Sequence, residues 1–396
     1  MRIYDVIVVG AGPAGSTAAR EAAATGASVL MLDRTEFPRD KPCGGGVNVR
    51  AARLLPFSLE PVVERTISGL SVSLNLDRDF TRRYSKTLCY MTQRSRLDAF
   101  LVEHALAAGA RLRDGEAVRS VESGEGGVTV HTRGGSYRGR VLVGADGANG
   151  VVARATGVAG GRDLAVALEG NLRCEGGVPP RWRETIAMDL GLIRGGYGWL
   201  FPKGEHLNLG VGGWRHFGPL LRGRLDSLTR HFGFAPSQVE HLRGHHLPIR
   251  RPGAPLTRGR TLLVGDAAGL IDPLSGEGIH AAIYSGRLAA AHLLTFLEGS
   301  ARDLRPYAQA IETELAPDLL ASRRFQDVFH LMPAVYVRLL EHSDLIWGTL
   351  CRMVRGEQSY IGLRHRIGPL ALLVDLLSAT IRGTPLRARV GLPEAA

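Results

Sequence analysis

The stretch that most constrains the fold of this chain is residues 3–33, IYDVIVVGAGPAGSTAAREAAATGASVLMLD. Its two apolar runs, separated by a glycine cluster and an alanine-rich segment, predict a strand, a tight turn, a helix and a second strand. Gly10 permits the turn, Gly12 lets a pyrophosphate approach the backbone, and Gly15 lets the helix pack closely on the strand. This pattern predicts a Rossmann-like unit that binds a dinucleotide.

The start of the predicted helix and the end of the second strand add further ligands for a dinucleotide. Pro13 and Ala14 open the helix, whose N-terminus presents free N–H groups and the positive end of the helix dipole to the phosphates. Asp33 lies 23 residues after Gly10, where its carboxylate can accept hydrogen bonds from ribose hydroxyls. A glycine-rich turn without a ligand would not explain this acid.

A second strand end, in residues 261–294, indicates which dinucleotide is bound. A short apolar strand runs into Gly-Asp, and a long helix opens near GEGIHAA. Asp266 can hold a polyol hydroxyl, and the helix start can present N–H groups to an electron-rich ring edge. A flavin has both features, in its ribitol chain and its pyrimidine carbonyl. The helix-start residues expected to bind it are Gly276, Gly278 and Ile279.

A third strand, in VLVGADGANGVVAR (141–154), ends in Gly-Ala-Asp-Gly between the other two. Together the three strand ends resemble the FAD domain of the para-hydroxybenzoate hydroxylase superfamily, and the resemblance implies FAD as the cofactor. Gly150 stands where many such hydroxylases have serine. The resemblance implies further cofactor-binding residues beside those already named: Arg34, Arg94 of the RSRLD segment, Val118 and Asp146.

The remaining segments indicate how the chain is organised around this FAD domain. Residues 115–146 hold three short strands broken by glycine turns, as in an antiparallel meander, and apolar residues recur at helical spacing from 301 onward. We therefore predict an α/β fold with a discontinuous Rossmann-like FAD-binding domain, an inserted, mainly antiparallel sheet domain for the substrate, and a C-terminal helical region. The expected boundaries are 1–66, 94–165 and 251–300 for the FAD domain, 67–93 and 166–250 for the sheet domain, and 301–396 for the helical region.

Two short motifs outside this nucleotide-binding pattern indicate the chemistry. KPCGGG (41–46) places Cys43 before three consecutive glycines, and GYGWLFPK (196–203) alternates aromatic residues as on a strand. Together they closely resemble the PxxCGGG and YxWxFPK elements of the geranylgeranyl reductase family, although Pro38 lies further from Cys43 than that spacing. The resemblance covers roughly residues 1–300. It implies hydrogenation of isolated double bonds in prenyl chains by a reduced flavin.

The residue types of both motifs suit such a reaction. Gly44 and Gly45 leave the backbone bare, so that it can approach a flat isoalloxazine ring, and Cys43 then lies at the reaction face as the candidate catalytic residue. Hydride transfer to an unconjugated alkene needs a dry slot against flavin N5, and the alternating aromatic residues would form its wall. The expected substrate-binding residues are Tyr197, Trp199, Phe201 and Lys203.

Each motif also has a purely structural explanation, which the sequence leaves open. Cysteine is commonly a small buried hydrophobe, and an aromatic residue at every second position is typical of a sheet core. A lysine is usually a solvated surface residue. However, two of only three lysines among the 49 basic residues, Lys41 and Lys203, lie within the two motifs.

Composition narrows the partners and the compartment. The formal net charge is +11, but the arginines are dispersed and no nucleic-acid-binding motif accompanies them, so we expect no nucleic-acid partner. An anionic membrane surface and an anionic substrate both stay open. The four cysteines lack metal-ligand spacing, and there is no signal peptide and no apolar run of 18 residues, so we expect no metal site and a cytoplasmic protein.

The segment 367–390 offers a means of docking on the inner face of a membrane. It joins an apolar helical stretch, interrupted by Asp375, to the basic residues Arg382, Arg387 and Arg389. Packing of this helix on the protein core is the alternative, and the sequence does not decide between the two.

Three function classes compete. The first is a prenyl reductase acting on a lipid alkene. The second is a flavin-dependent monooxygenase or halogenase, since GYGWLFP is similar to the WxWxIP element of halogenases, and the third is an electron-transfer flavoprotein. Cys43 favours the first class over the second, because a hydroxylase has no evident use for that thiol. The third class more usually brings an iron–sulfur module, for which the four cysteines lack the spacing. No second GxGxxG is present, so the expected reductant is NAD(P)H or a ferredoxin-like electron-donor protein.

Overall fold

The computed structural model describes residues 2–158 and 160–392, which form two compact units. Each unit has its own sheet and its own apolar core. Unit 1 comprises Met1–Lys41, Arg94–Asp163 and Leu247–Leu319, and unit 2 comprises Pro42–Gln93, Leu164–His246 and Leu320–Ala396.

Strands and helices alternate irregularly along the described residues. The strands are β1 (Ile3–Val9), β2 (Val29–Leu32), β3 (Gly46–Asn48), β4 (Arg65–Ile67), β5 (Gly69–Leu74), β6 (Phe80–Arg83), β7 (Cys89–Met91), β8 (Arg111–Arg113), β9 (Ser120–Gly124), β10 (Gly127–His131), β11 (Ser136–Gly144), β12 (Arg162–Arg173), β13 (Thr185–Leu190), β14 (Tyr197–Pro202), β15 (His206–Trp214), β16 (Val239–Arg250), β17 (Thr257–Arg258) and β18 (Thr261–Leu263). The α-helices are α1 (Pro13–Ala24), α2 (Val49–Ala52), α3 (Arg94–Ala107), α4 (Val152–Ala155), α5 (Leu221–His231), α6 (Ile279–Leu297), α7 (Arg305–Ala310), α8 (Ala316–Leu331), α9 (Pro333–His342), α10 (Asp344–Val354), α11 (Tyr360–Ile367), α12 (Leu370–Gly383) and α13 (Leu386–Arg389).

Unit 1 is built on an eight-stranded sheet in the order β17-β18-β11-β1-β2-β8, with β10 beside β11 and β9 beside β10. The strands from β18 to β8 pair in parallel, and β9, β10 and β11 form the antiparallel meander predicted for residues 115–146. Val6, Ile7 and Val8 of β1 are fully buried, as expected for a central strand of a parallel sheet. The predicted strand–helix–strand unit is therefore confirmed as β1, α1 and β2.

The glycines of the first turn explain how closely this unit packs. Gly10 adopts a φ of +97°, and a Cβ there would lie 2.3 Å from the carbonyl oxygen of Ala145. A Cβ on Gly15 would lie 1.8 Å from the carbonyl oxygen of Gly10. Both positions exclude a side chain, for the reasons predicted from the sequence: a tight turn at the first and a close helix–strand contact at the second.

Unit 2 contains a seven-stranded sheet in the order β16-β12-β15-β14-β13-β5-β6 and a three-stranded sheet, β3-β7-β4. The pairs β12–β15, β15–β14, β14–β13 and β5–β6 are antiparallel, whereas β13 and β5 run parallel. The predicted fold class is confirmed: an FAD-domain-like α/β unit, a mainly antiparallel sheet and C-terminal helices.

The predicted helical region belongs to unit 2 from Leu320 onward, and the division of the chain also differs from the predicted boundaries in two further long stretches. Residues 42–66 belong to unit 2, because β7 pairs its backbone with both β3 and β4. Residues 301–319 belong to unit 1, because buried Tyr307 donates its hydroxyl to the carbonyl oxygen of Leu263 at 2.7 Å and Ile311 lies in the same apolar core. Both differences arise from contacts between distant parts of the chain, which local patterns do not reveal.

The C-terminal helices of unit 2 are joined by an ion pair as well as by apolar contacts. Asp327 on α8 is 1% exposed and accepts hydrogen bonds from Arg382 at 2.7 and 2.8 Å and from the hydroxyl of Ser378 at 2.6 Å. Burial raises the pKa of Asp327, and the positive charge of Arg382 opposes that rise. Among the described residues, no helix has both the length and the apolar character needed to cross a bilayer.

Two glycines in helix interiors test the packing of α6 on α1. A Cβ on Gly286 would lie 2.5 Å from the carbonyl oxygen of Ala14, whereas a Cβ on Gly223 of α5 would meet no atom within 4 Å. We expect Gly286→Ala to lower the free energy of unfolding by about 1–3 kcal/mol through overpacking. Gly223→Ala should raise it by about 0.5–1 kcal/mol through better helix propensity. Urea unfolding measures both, and effects of the same sign would contradict the close contact of the two helices.

Candidate functional site

The approach to the glycine turn of unit 1 is lined by two guanidinium groups. A Cβ on Gly12 would lie 3.4 Å from Nη2 of Arg39 and 3.9 Å from Nη2 of Arg94. Asp98 holds both arginines: it accepts hydrogen bonds from Nε and Nη2 of Arg94 at 2.7 Å each and pairs with Nη1 of Arg39 at 3.0 Å. Among the described residues, no side chain caps the N-terminus of α1 beside them. Two arginines at an uncapped helix N-terminus can bind a pyrophosphate.

Asp33, predicted to bind a ribose, directly follows β2 and anchors the same turn. Its Oδ2 accepts the N–H of Ala11 at 2.9 Å, and its Oδ1 accepts the N–H of Thr35 at 3.1 Å. Nε of Arg39 lies 3.5 Å from Oδ2, which connects Asp33 to the arginine pair. Arg34, by contrast, is exposed. Contacts of Asp33 and Arg34 with a nucleotide stay predictions.

Asp266 and the start of α6 form a second part of the unit 1 site. Oδ2 of Asp266 pairs with Nζ of Lys41 at 3.0 Å. Gly276 adopts a φ of +68°, and Gly278 precedes Ile279, the first residue of α6, without a side-chain cap. A Cβ on Gly278 would lie 3.1 Å from Oδ1 of Asp266. The carboxylate and the uncapped helix start predicted to bind a flavin are therefore neighbours.

The carboxylate of Asp146 occupies the space in which a side chain at position 150 would lie. A Cβ on Gly150 would be 2.1 Å from Cγ of Asp146, so a serine here would displace the acid. Oδ2 of Asp146 accepts the N–H of Val152 at 2.9 Å, whereas its buried Oδ1 has no hydrogen-bond partner among the described residues. Burial raises the pKa of Asp146. A buried oxygen without a partner suits a ligand hydroxyl, because it is otherwise costly.

The polar groups of unit 1 are of the chemical types that the parts of FAD require. The arginine pair and the helix N-terminus suit a pyrophosphate, the acids suit hydroxyl groups, and the start of α6 suits a carbonyl oxygen. Val118, also predicted to bind the cofactor, is half-buried and packs against the apolar core of unit 1. Its side chain has no polar atom, so any side-chain contact with a cofactor would be apolar.

In unit 2, the cysteine loop (residues 42–46) has its backbone held from two sides. The N–H of Cys43 donates to Oε1 of Glu169 on β12 at 2.7 Å, and Nζ of Lys203 donates to the carbonyl oxygen of Gly44. The N–H of Gly45 points to Sγ of Cys43 at 3.4 Å. The thiol is free and the residue half-buried, so the loop fixes Cys43 without enclosing it.

Lys203 lies beneath the cysteine loop. It is 2% exposed, and its Nζ donates to the carbonyl oxygens of Gly44 and Thr92, the latter at 2.9 Å. Burial lowers the pKa of Lys203 to about 8, and attraction to Cys43 is the largest effect that opposes this shift. The structure places the ammonium of Lys203 against the backbone of the loop, because the buried cation needs acceptors there. Contact of Lys203 with a substrate stays a prediction.

The aromatic side chains of β14 share one face, as their alternation predicted. The ring centroids of Tyr197 and Trp199 are 5.9 Å apart, and those of Trp199 and Phe201 are 6.2 Å apart. Trp199 is 6% exposed and donates its Nε1–H to Oδ1 of Asn208 at 2.9 Å, and its ring covers Gly210, where a Cβ would be 2.0 Å away. The rings of Tyr197 and Phe201 are half-buried. We call these three side chains the aromatic stripe.

The glycines of the cysteine loop allow it to approach the aromatic stripe. A Cβ on Gly44 would lie 2.7 Å from the ring of Phe201. Gly45 adopts a φ of +65°, and a Cβ there would lie 2.1 Å from the carbonyl oxygen of Thr92. The loop that carries Cys43 therefore adjoins the stripe within one unit. Contact of the two glycines with a flavin stays a prediction.

Three residues of these clusters were missed in the sequence. Asp98 lies four residues after Arg94 on α3, and this spacing could have indicated their ion pair. Arg39 and Glu169 have no such signal, since Glu169 meets its partner Cys43 across 126 residues of chain. Only the tertiary structure brings these two side chains to their sites.

Comparison with known proteins places the chain among flavoproteins. A family model described as an FAD binding domain matches residues 3–168. The chain is 32% identical to a menaquinone reductase of Mycobacterium tuberculosis (81% of this chain and 80% of the relative) and 30% identical to a digeranylgeranylglycerophospholipid reductase of Thermoplasma acidophilum (73% and 78%). The fold matches the crystal structure of a geranylgeranyl bacteriochlorophyll reductase-like protein from Thermoplasma acidophilum with a TM-score of 0.78, at 24% identity, over 87% of this chain and 92% of that one.

Alanine at Gly12 tests the phosphate site without disturbing the turn. The atom nearest to the added Cβ would be 3.4 Å away, an ordinary contact. We expect Gly12→Ala to leave the apoprotein folded but to weaken FAD binding by about tenfold or more, because the methyl group blocks the approach to Arg39 and Arg94. FAD titration and flavin absorbance per polypeptide measure the effect. Gly15→Ala, which clashes with the backbone, should instead unfold unit 1, and undiminished FAD affinity in Gly12→Ala would remove Gly12 from the site.

The buried ammonium of Lys203 predicts how stability depends on pH. Its pKa of about 8 lies below the ordinary lysine value of 10.5. Between these values the unfolded chain binds more protons than the folded protein, so wild-type stability gains as pH rises through this window. Lys203→Met lacks this contribution. The difference in free energy of unfolding, wild type minus variant, should therefore grow from pH 8 toward 10.5, by on the order of 3 kcal/mol.

Tryptophan fluorescence suits this measurement, because all four tryptophans lie in unit 2: Trp182, Trp199, Trp214 and Trp347. Urea unfolding at several pH values gives the difference for each variant. Lys86→Met, which removes an exposed lysine of the same unit, controls for the simple loss of a charge. A flat or falling difference for Lys203→Met would contradict burial of a charged ammonium.

Proposed function

Because the chain belongs to the geranylgeranyl reductase family of FAD-dependent oxidoreductases, we propose that it hydrogenates isolated C=C bonds in the prenyl chain of a lipid. The names of its relatives support a lipid substrate, one being a digeranylgeranylglycerophospholipid reductase and another a menaquinone reductase. The observation that carries the proposal is the cysteine loop of unit 2, in which the fixed thiol of Cys43 adjoins the aromatic stripe.

Reduction of an isolated alkene adds two hydrogens at carbons that no carbonyl activates. FAD, when bound and reduced, would supply the hydride for one of the two new C–H bonds. Sγ of Cys43 holds the proton for the other C–H bond, and water returns a proton to the thiolate. The donor must be close to the alkene, because nothing else stabilises the charge that develops on the second carbon.

The contacts of the cysteine loop keep this proton in position. Glu169 holds the N–H of Cys43, and Lys203 holds the carbonyl oxygen of the next residue, so the backbone is tethered on both sides of Sγ. The ammonium of Lys203 also offsets negative charge on the sulfur, and this attraction opposes the lowering of its own pKa. Lys203 is in this scheme a positioning residue.

The aromatic stripe provides the wall along which the prenyl chain lies. The half-buried rings of Tyr197 and Phe201 can be reached by a ligand, and Trp199 is locked behind them by Asn208. Apolar rings cover a methyl-branched chain and exclude water, which strengthens the electrostatic interactions at Cys43. In this scheme the rings of Tyr197 and Phe201 contact the substrate, and Lys203 holds the backbone of the cysteine loop.

NAD(P)H or a ferredoxin-like carrier would reduce the bound FAD. The substrate lies in a membrane, so the protein works at the inner bilayer face. Of the three predicted arginines, exposed Arg389 adds basic charge toward an anionic surface, whereas Arg382 pairs with buried Asp327 and Arg387 is half-buried. Free diphosphates, glycerophospholipids, chlorophyll precursors and quinones carry the same alkene, and the assay must compare them.

Anaerobic single turnover tests this function. The FAD-loaded protein is photoreduced and mixed with each class of prenyl lipid in detergent micelles, so that no membrane is needed. We expect flavin reoxidation together with a product heavier by two hydrogens. Reoxidation by none of the lipids, together with hydroxylated or halogenated product in air with halide, would replace the reductase by an oxygenase of the same fold.

Alanine at Cys43 tests the proposed proton donor. Cys43→Ala should bind FAD and accept electrons normally, because the thiol contributes nothing to either step. Reoxidation by the alkene should slow by about 10²–10⁴-fold through loss of the proton donor. Cys174→Ala, at another half-buried cysteine of unit 2, is the matched control and should react at the wild-type rate. Equal reoxidation rates in the two variants would return Cys43 to a packing role.

A further inference from the structure

The C-terminal helices of unit 2 leave a row of leucines in solvent. Leu370, Leu372, Leu373 and Leu376 of α12 are 62, 69, 50 and 65% exposed. Leu372 and Leu376 are four residues apart and Leu373 and Leu376 three, so they lie close together on one side of the helix. We call these four side chains the leucine face. Soluble proteins rarely expose a contiguous patch of this kind without a partner.

The opposite side of α12 is the one that packs on the protein. Ala371, Ser378 and Ile381 are buried, and the hydroxyl of Ser378 donates to Asp327 of α8 at 2.6 Å. The helix is therefore anchored in unit 2 while the leucine face remains uncovered. This arrangement combines the two alternatives that the sequence left open for the segment 367–390.

The single acid of α12 is neutralised by the protein itself. Asp375 pairs with Arg364 of α11 and, at 3.0 Å, with Arg324 of α8. The hydrogen bond from Arg364 holds the pKa of Asp375 below its usual value. Asp375 thus interrupts the apolar pattern in the sequence, but its charge is balanced within unit 2.

The surroundings of the leucine face are basic. His365 and Arg366 are exposed just before α12, and Arg389 is exposed on α13. Residues 320–392 contain ten arginines and five acids. An apolar face beside exposed cations matches an anionic lipid surface, which offers acyl chains to the leucines and phosphates to the arginines.

We propose that the leucine face of α12 docks unit 2 on an anionic bilayer, with the helix lying in the interface. The 14 residues of α12 span only about 21 Å, less than the roughly 30 Å hydrocarbon core of a bilayer. This inference rests on the proposed function in one respect, that the lipid surface is also the source of the substrate.

A second copy of the chain is a less suitable partner. It would bring the same basic surroundings to a symmetric contact, so that like charges would face one another. The face is also purely leucine, whereas the residues that contribute most at protein interfaces are tryptophan, tyrosine and arginine.

Substitution within the leucine face is a sharper test than truncation. Truncation before α12 would remove Arg382, leaving buried Asp327 without its cation, and would remove buried Val390. The test variant is Leu372→Glu/Leu376→Glu in the full FAD-loaded chain. Its matched control is Leu106→Glu/Leu220→Glu, which changes two leucines that are 41 and 51% exposed elsewhere. Unchanged unfolding midpoints confirm that both variants fold.

Flotation with vesicles gives the result. We expect wild type and control to float with vesicles of phosphatidylcholine and phosphatidylglycerol at low salt, and high salt to release them. The test variant should have a vesicle partition coefficient at least roughly tenfold lower than that of wild type. Arg366→Glu should lower the same coefficient by at least roughly fivefold. Equal flotation of wild type with pure phosphatidylcholine vesicles, or of the test variant with anionic ones, would overturn the proposal. A concentration-dependent dimer of wild type that the test variant abolishes would assign the face to a second copy.

Activity in detergent separates this proposal from the proposed function. The test variant should reduce micellar prenyl lipid as fast as wild type, because the leucine face does not enter the chemistry. Vesicle binding without alkene reduction by wild type would refute the reductase and leave the docking face standing. Alkene reduction without vesicle binding would refute the docking face alone.

Discussion

The buried ammonium of Lys203 is the interaction on which the arrangement of unit 2 depends. A cation that is 2% exposed must find acceptors inside the protein, and it finds the carbonyl oxygens of Gly44 and Thr92. These acceptors belong to segments far from Lys203 in sequence, so one side chain joins the end of β14, the cysteine loop and the residue after β7. Gly45 permits the junction, because a side chain there would collide with the carbonyl of Thr92. This charge, together with Glu169, which accepts the N–H of Cys43, fixes the position of the loop that carries Cys43.

In unit 1 a buried charge also positions its neighbours, but here the charge is the negative carboxylate of Asp98. Asp98 is fully buried and holds Arg39 and Arg94, which line the approach to Gly12. In unit 2 a buried cation positions a backbone loop, and in unit 1 a buried anion positions two cations. In both, a group that meets no solvent determines where the ligand-facing groups lie, which pre-organises them before a ligand arrives.

The C-terminal helices are also held in place by paired charges. Asp327 and Asp375 are both paired with arginines of neighbouring helices, so the helices are tied together by their acids. The excess arginines and the leucine face remain at the surface. A long prenyl chain partitions into bilayers and is scarce in water. An enzyme that acts on it therefore gains from meeting its substrate at the lipid surface.

Short-range patterns determined much of this protein from the sequence alone. The glycine turn between β1 and α1, the meander of β9 to β11 and the shared face of Tyr197 and Phe201 depend on backbone conformation and on periods of two or 3.6 residues, which a few neighbouring residues reveal. The roles of the predicted residues toward FAD and substrate stay predictions. Only the tertiary structure placed residues 42–66 in unit 2, buried Lys203 beneath the cysteine loop and brought Glu169 to the backbone of that loop. The placements of Lys203 and Glu169 depend on partners more than a hundred residues away, and only the folded backbone determines which distant acceptor a buried charge will reach.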